Sequence, residues 1–329
     1  MSFSLDAKAE VVESSVPDKD CCAKAMLCGI LRTAGNLSIH NGHYCMQVST
    51  EIRDLYKVLE QLLRRLYNVK DVLTLRQEQK QNKTIRYTIS LGDEISEKVL
   101  YDCFILKKNY AGDTEIVRGI SRYVIKDNCC ERYFIIGAFL GCASANIVIK
   151  DLDSLKKHAG GYHLEFVFGQ YELASDFVHL LADFGINAKI MQRKKLHVVY
   201  IKEAEIVSDL LALVGANNAV MTLQNEFAVR EVRNQLNRQL NCINSNLQKM
   251  VSASVKQIDA IQYIDDTIGL ESLSPSLYEL CLLRLANPEE NYENLAKLMT
   301  TPLTKSGVNH RLRKIVEMAE QLRKQNEQH

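Results

Sequence analysis

Ser306, Asn309, His310 and Arg313 are spaced so that a helix, turning about 100° per residue, would carry them on one face. Val308, Leu312, Ile315, Ala319 and Leu322 step by 4, 3, 4 and 3 and would form its opposite, buried stripe. Lys305 precedes the polar face, and Arg311 and Lys314 flank it. Such a set can read the major groove of double-stranded DNA. Arginine bonds guanine bidentately, asparagine bonds adenine, and lysine and serine reach phosphate oxygens. Between Leu303 and Lys324, six Lys or Arg stand against two acids, Glu317 and Glu320. An ordinary amphipathic helix with a solvated basic face has the same pattern, so spacing alone leaves both readings open.

Other constellations carry less. Arg193-Lys194-Lys195 falls in a predicted turn between strands, and Lys189–Lys202 contains no acid. With Arg238, these are secondary candidates for phosphate contact. Arg64, Arg65, Arg76, Lys80, Lys83 and Arg86 form a similar excess, which solvated loop tips explain equally well. His158, Gly160-Gly161 and His163 have no Asp or Cys at ligand spacing, and a hairpin turn accounts for the glycines. Ten cysteines include no Cys-x-x-Cys, only the adjacent pairs Cys21-Cys22 and Cys129-Cys130. Neighbouring cysteines point in different directions and rarely share a tetrahedral metal, so these read as small buried apolar residues with no metal bound. The chain shows no phosphate-binding loop, dinucleotide fingerprint or serine-nucleophile elbow, so neither a cofactor nor a small-molecule substrate is expected.

The whole chain bounds these sites. Its 329 residues suit two or three domains, and 47% hydrophobic with 25% charged residues is a globular composition. Against 41 Lys plus Arg stand 40 Asp plus Glu, which excludes a protein that coats nucleic acid by bulk charge. Met1 to Asp20 carries Asp6, Lys8, Glu10 and Glu13 and lacks the apolar core of a signal peptide. No window approaches the roughly 18 apolar residues of a membrane span, so a cytoplasmic chain with no membrane partner is expected.

The elements that must position the sites come in a repeat. Cys129-Cys130 lies 108 positions after Cys21-Cys22, and Gly137 the same distance after Gly29. The surrounding apolar segments fit buried helices. The first is followed by predicted strands Asn36–His40 and His43–Ser49 around Asn41-Gly42, a hairpin signal. A helical stripe follows from Ile52 to Leu66, then strands Val69–Arg76 and Thr84–Leu91, and a helix Asp93–Phe104. The second is followed by strands Ile147–Lys150 and Tyr162–Phe168, a helix through Leu173 and Leu181, strands Ala188–Gln192 and Leu196–Ile201, and a helix Ala204–Val214. Both halves read α-β-β-α-β-β-α, a pseudo-two-fold pair of α+β units. Ala216–Ile268 contains neither Gly nor Pro, and Val232, Leu236, Leu240, Ile243, Leu247 and Met250 form a helical stripe along one or two long helices. Beyond it, Ser274-Pro275 starts a helix, Asn287-Pro288 ends it, Asn291 caps Tyr292–Met299, and Thr304 caps a final helix to about Gln325. The last two helices joined by a short turn make a helix-turn-helix candidate.

Several of these segments resemble known families. Leu27-Cys-Gly-Ile-Leu-Arg-Thr-Ala-Gly35 and Ile135-Ile-Gly-Ala-Phe-Leu-Gly-Cys-Ala143 resemble the LAGLIDADG helices of homing endonucleases. Pro302-Leu-Thr-Lys-Ser-Gly-Val-Asn-His-Arg-Leu-Arg-Lys314 resembles a hallmark run of the WhiA family of bacterial regulators. Asn237-Arg-Gln-Leu-Asn-Cys242 with Asn246 and Lys249, the early Cys-Cys-Ala-Lys-Ala and Tyr162-His-Leu-Glu165 are similar to that family too. The likeness covers essentially the whole chain. It implies an α+β fold of tandem LAGLIDADG-like repeats, then a helical linker and an all-α helix-turn-helix domain similar to sigma-factor region 4. The implied division is an N-terminal segment 1–19, repeats 20–115 and 116–216, a linker 217–268 and a helix-turn-helix domain 269–329. A LAGLIDADG nuclease ends each signature helix in an acid that holds divalent metal. Ala34 and Cys142 stand at those positions here and supply no carboxylate, while Asp151 and Asp153 fall beyond the helix. The run Gly141-Cys142-Ala143 also departs from the glycine pair expected there.

The resemblance thus implies a non-enzymatic, sequence-specific DNA-binding transcriptional regulator of cell division and chromosome segregation, and of sporulation in some bacteria. It would be cytoplasmic and nucleoid-associated, with double-stranded DNA and a transcription factor or RNA polymerase as partners. Ser306, Asn309, His310 and Arg313 would contact bases; Lys305, Arg311 and Lys314 would hold phosphates. Two rivals remain at this point: an interaction scaffold with minor DNA contact, and an active metal-dependent homing-type endonuclease.

Overall fold

The computed structural model describes residues 2–14, 16–79, 85–147 and 161–326. Two compact units divide the chain, Met1–Val229 and Arg230–His329. The first unit opens with α1 (Phe3–Ser14) and then builds each repeat from the same parts. Repeat one is α2 (Asp20–Ala34), β1 (Gly35–His40), β2 (His43–Thr50), α3 (Leu55–Tyr67), β3 (Leu73–Gln79), β4 (Ile85–Leu91) and α4 (Asp93–Asp102). A short hairpin, β5 (Leu106–Lys108) and β6 (Thr114–Ile116), leads on. Repeat two is α5 (Asn128–Cys142), β7 (Ala143–Ile147), β8 (Tyr162–Phe168), α6 (Tyr171–Ala182), β9 (Lys189–Arg193), β10 (Leu196–Ile201) and α7 (Ala204–Val214). The two antiparallel sheets have matching strand orders, β1-β2-β4-β3 and β7-β8-β10-β9, so the repeat read from the sequence is a repeat of topology.

Local chemistry explains the joints. Asn41 and Gly42 both take positive φ, 49° and 83°, in a two-residue turn that pairs His40 with His43. That backbone matches the strand twist and suits Asn-Gly. The seam between repeats is α2 against α5, run in parallel. A Cβ on Gly29 would lie 2.4 Å from the Phe134 carbonyl oxygen, and one on Gly137 would lie 2.3 Å from that of Met26. Only glycine admits so close a backbone approach.

Three expectations change. The strand after α5 begins directly at Ala143, four residues before the expected Ile147 start, because the chain leaves the helix in extended conformation (φ −69°, ψ 146°). Any residue adopts that backbone, so the turn forms without a glycine pair. Gly35 at the matching point of repeat one is needed for space: a Cβ there would fall 2.7 Å from Met46 Sδ and still closer to the Leu31 carbonyl oxygen. The N-terminal segment is a helix whose Ala7, Val11 and Val12 are buried in the unit's core. The cysteine pairs also depart from expectation. Cys21, Cys22, Cys129 and Cys130, near the starts of α2 and α5, converge with all four Sγ atoms within 4.8 Å of one another. The Sγ atoms of Cys21 and Cys22 stand only 3.9 Å apart, and the parallel seam brings the second pair against them. Lys80, Lys83, Asp151, Asp153, His158 and Gly160 lie outside the described residues.

A single helix, α8 (Asn217–Ile268), leaves the first unit and enters the second. Residues 234–249 are exposed on every face, and Val232, Leu236, Leu240, Ile243 and Leu247 each keep more than half of their surface in solvent. In the second unit the end of α8 packs with α9 (Pro275–Ala286), α10 (Tyr292–Leu298) and α11 (Lys305–Asn326) around Ile261, Ile264, Leu280, Leu295, Val308 and Leu312. Among the described residues no helix is long and apolar enough to cross a membrane.

Candidate nucleic-acid interface

Burial orients α11. Val308, Leu312, Ile315 and Ala319 are essentially inaccessible, at 0–1% exposure, against Leu280, Cys281, Leu295 and Met299. With that stripe fixed inward, Ser306, Asn309, His310 and Arg313 are all exposed on the other side, and Lys305 and Lys314 are exposed beside them. The first turn holds no acid, so nothing there repels phosphate. Thr304 starts the helix: its Oγ1 accepts from the Gly307 N–H at 3.1 Å and its carbonyl accepts from Val308 N–H. Thr304→Ala removes the side-chain cap and is expected to cost about 1 kcal/mol. Faster hydrogen exchange at the Gly307 amide, with Leu312 unaffected, is the signature to look for.

A polar frame ties together the helices on which α11 packs. Glu279 on α9 accepts from the Thr300 N–H at 2.6 Å, and this backbone bond holds its carboxyl below the usual range. Asn291 Oδ1 accepts from the Asn294 N–H at 3.0 Å and caps α10. Arg284 is buried, donates from Nη1 to the Glu290 carbonyl at 2.8 Å and lies over the Tyr292 ring. Ser254 Oγ donates to the Pro288 carbonyl, and Gln257 Nε2 donates to Tyr292 Oη. These two contacts join α8 to the α9–α10 loop and to the start of α10, between residues 34 and 35 apart. Sequence periodicity has no signal for them.

The flanking cations differ in their surroundings. Arg311 is half-buried and donates from Nη1 to Ser276 Oγ of α9, whereas Lys305 and Lys314 are free of ion pairs among the described residues. Arg238 is exposed on α8, its Nε bonded to the Asn234 carbonyl. In the first unit, Lys194 and Lys195 form the tip of the β9–β10 turn, with Lys194 at φ 58°. Arg193 beside them forks onto Glu165, at 2.9 and 3.3 Å, and Glu165 also meets His163 Nε2 at 3.1 Å. Burial would raise the Glu165 carboxyl, but Arg193 and His163 outweigh it and hold it below the usual range. Much of the Arg193 charge is therefore compensated within its own sheet. Arg65 is paired with Asp20 in the same way, at 2.7 Å.

The C-terminal ends of α2 and α5 carry Ala34 and Cys142, so neither ends in a carboxylate. A cleft beside them is lined by Lys8, Glu51, Arg86, Cys142 and several serines. Lys8 is buried and donates from Nζ to the Leu140 carbonyl at 3.2 Å. Burial lowers its ammonium from the ordinary 10.5 to about 8, opposed in part by the Glu51 carboxylate. Burial also pushes the Cys142 thiol up to about 12, so it stays neutral. Folding thus has to strip water from an ammonium ion, and Lys8→Met is expected to stabilise the chain by about 1–3 kcal/mol near neutrality, the lost Leu140 bond offsetting part of the gain. The folded state loses this proton at lower pH than the unfolded chain. Stability of the natural protein should therefore rise between about pH 8 and 10.5, and the advantage of Lys8→Met should shrink there. Urea unfolding on either side of that window checks both statements.

Three family models match the chain: the WhiA N-terminal LAGLIDADG-like domain over residues 20–106, the WhiA LAGLIDADG-like domain over 131–233 and the WhiA C-terminal HTH domain over 236–319. The chain is 35% identical over 325 residues to the Bacillus subtilis protein named "Probable cell division protein WhiA", covering 98% of each. It is also 35% identical over 326 residues, 99% of each, to the protein of the same name in Clostridium acetobutylicum. The crystal structure of full-length DUF199/WhiA from Thermatoga maritima superposes with a TM-score of 0.57 at 24% identity, covering 98% of this chain and 99% of that one.

Proposed function

Since the chain belongs to the WhiA family, we propose that it is a sequence-specific double-stranded DNA-binding regulator that acts in cell division. The finer roles implied by the resemblance belong to this proposal as well: transcription control, chromosome segregation, sporulation where the organism sporulates, and recruitment of a transcription factor or RNA polymerase at the nucleoid. Ser306, Asn309, His310 and Arg313 contact base edges; Lys305, Lys314 and the free donors of Arg311 hold phosphates. Lys194, Lys195, Arg238 and, more weakly, Arg193 add outlying phosphate contacts.

One observation carries the reading. The four polar side chains are exposed as a single face because Val308, Leu312, Ile315 and Ala319 on the opposite side of α11 are buried, with Leu322 half-buried beyond them. The absence of nuclease activity is part of the proposal, supported by Ala34 and Cys142 at the two helix ends and by the Lys8 ammonium beside them. Divalent metal prefers carboxylate oxygens, and a lysine cation there opposes it. The test is selection of bound genomic fragments with the full-length chain and with Asn309→Ala/His310→Ala. A shared motif recovered by the natural chain and lost by the variant supports the proposal. Enrichment without a motif, or cleavage of plasmid or selected sites with Mg²⁺ or Mn²⁺, rejects it.

A further inference from the structure

The thiol cluster between the repeats plays no part in the proposed function. The Sγ atoms of Cys21 and Cys22 stand 3.9 Å apart, and every pair among Cys21, Cys22, Cys129 and Cys130 lies within 4.8 Å. Four sulfurs around a tetrahedral Zn²⁺, each at about 2.3 Å from the metal, stand about 3.8 Å from one another. The cluster therefore needs only a contraction of under about 1 Å to close on an ion. Cys22 and Cys130 are buried, Cys129 is half-buried and Cys21 is exposed, so the cluster meets solvent at one corner. Two helices begin here side by side, with Cys21 and Cys22 in the first turn of one and Cys129 and Cys130 in the first turn of the other.

We propose that Cys21, Cys22, Cys129 and Cys130 form a structural four-thiolate site for a soft tetrahedral divalent cation, Zn²⁺ above all, which ties the start of one repeat to the start of the other. Thiolates select such ions over Mg²⁺ or Ca²⁺. Each thiol donates a sulfur lone pair and releases its proton, four in all, leaving a complex of net charge 2−. All four positions are filled by protein, so the metal binds no water and performs no reaction. Its effect is on the seam: an ion bound only by the folded arrangement adds its binding free energy to folding.

The test uses the full chain, expressed in zinc-containing medium and purified with reductant and without chelator. Plasma mass spectrometry should find about one zinc per chain, and Co²⁺ exchanged into it should show the intense visible bands of tetrahedral thiolate coordination. Cys21→Ser/Cys129→Ser should lose the metal, while Cys45→Ser and Cys281→Ser should keep it. Bound iron in place of zinc would support the site and change its occupant. Protein that is folded and metal-free, with all ten thiols alkylated once it is denatured, overturns the proposal, as does a Cys21–Cys130 or Cys22–Cys129 disulfide found by peptide mapping. Should the double variant fail to fold, the metal content and cobalt spectrum of the natural chain still decide.

Discussion

Gly137→Val is expected to destroy the first unit, at a cost of about 3–5 kcal/mol or more. A Cβ at this position would lie 2.3 Å from the Met26 carbonyl oxygen, 2.9 Å from the Ile30 nitrogen and 3.1 Å from the Gly29 Cα. All three are backbone atoms, so no rotamer change relieves the clash. The helices must separate instead, opening voids along Leu27, Ile30, Phe134 and Ala138, which are all fully buried. Overpacking usually costs about 1–3 kcal/mol where side chains can yield, and here they cannot. Gly169→Ala is the matched control: a Cβ there meets nothing within 4 Å, and the change should stay within about 0.5 kcal/mol. Denaturant midpoints of the two variants test the seam. Similar midpoints would mean that α2 and α5 do not pack as described. The same seam sets what lies at its two ends, the cysteine cluster at the helix starts and the Ala34–Cys142 ends beside Lys8. A variant that parts the helices should also release any metal held by the four thiols.

What was legible in the sequence follows the kind of interaction involved. Patterns within one element read well: the Asn41-Gly42 hairpin, the buried stripe of α11, the Asn291 cap and the Gly- and Pro-free stretch that became α8. The repeat was legible because both halves keep the same turn and apolar signals 108 residues apart. α1 was missed because Lys8 sits on its buried face beside Ala7, Val11 and Val12 and breaks the apolar pattern by which a helix is recognised. The cysteine cluster was missed for a different reason. An adjacent Cys-Cys pair has no ligand spacing of its own, and only the parallel packing of α2 on α5 brings the two pairs together. Partners such as Ser276 for Arg311 and Glu165 for Arg193 join residues 35 and 28 apart, and side chains of that reach have no periodic signature.

Arg313→Ala is expected to weaken binding to the cognate site by about 1–3 kcal/mol, roughly 5- to 150-fold, and to relax specificity at one base pair. Arg313 is exposed on the reading face, one turn beyond Asn309 and His310. A guanidinium there can fork onto guanine, and a fork lost to alanine costs discrimination as well as affinity. A phosphate contact would behave otherwise: affinity would fall alike on cognate and random DNA, and the slope of log K against log salt would ease by about 0.9. Arg313→Lys separates the cases more sharply, because lysine keeps the charge and loses the fork. A base reader is not rescued by lysine; a phosphate clamp largely is. The overall charge of +1 sharpens the measurement. With little net attraction to random DNA, the background against which specificity is read should be weak, and Lys305, Lys314 and Arg311 should account for most of the salt dependence. A steep slope that survives substitution of all three would move the main DNA contact off α11.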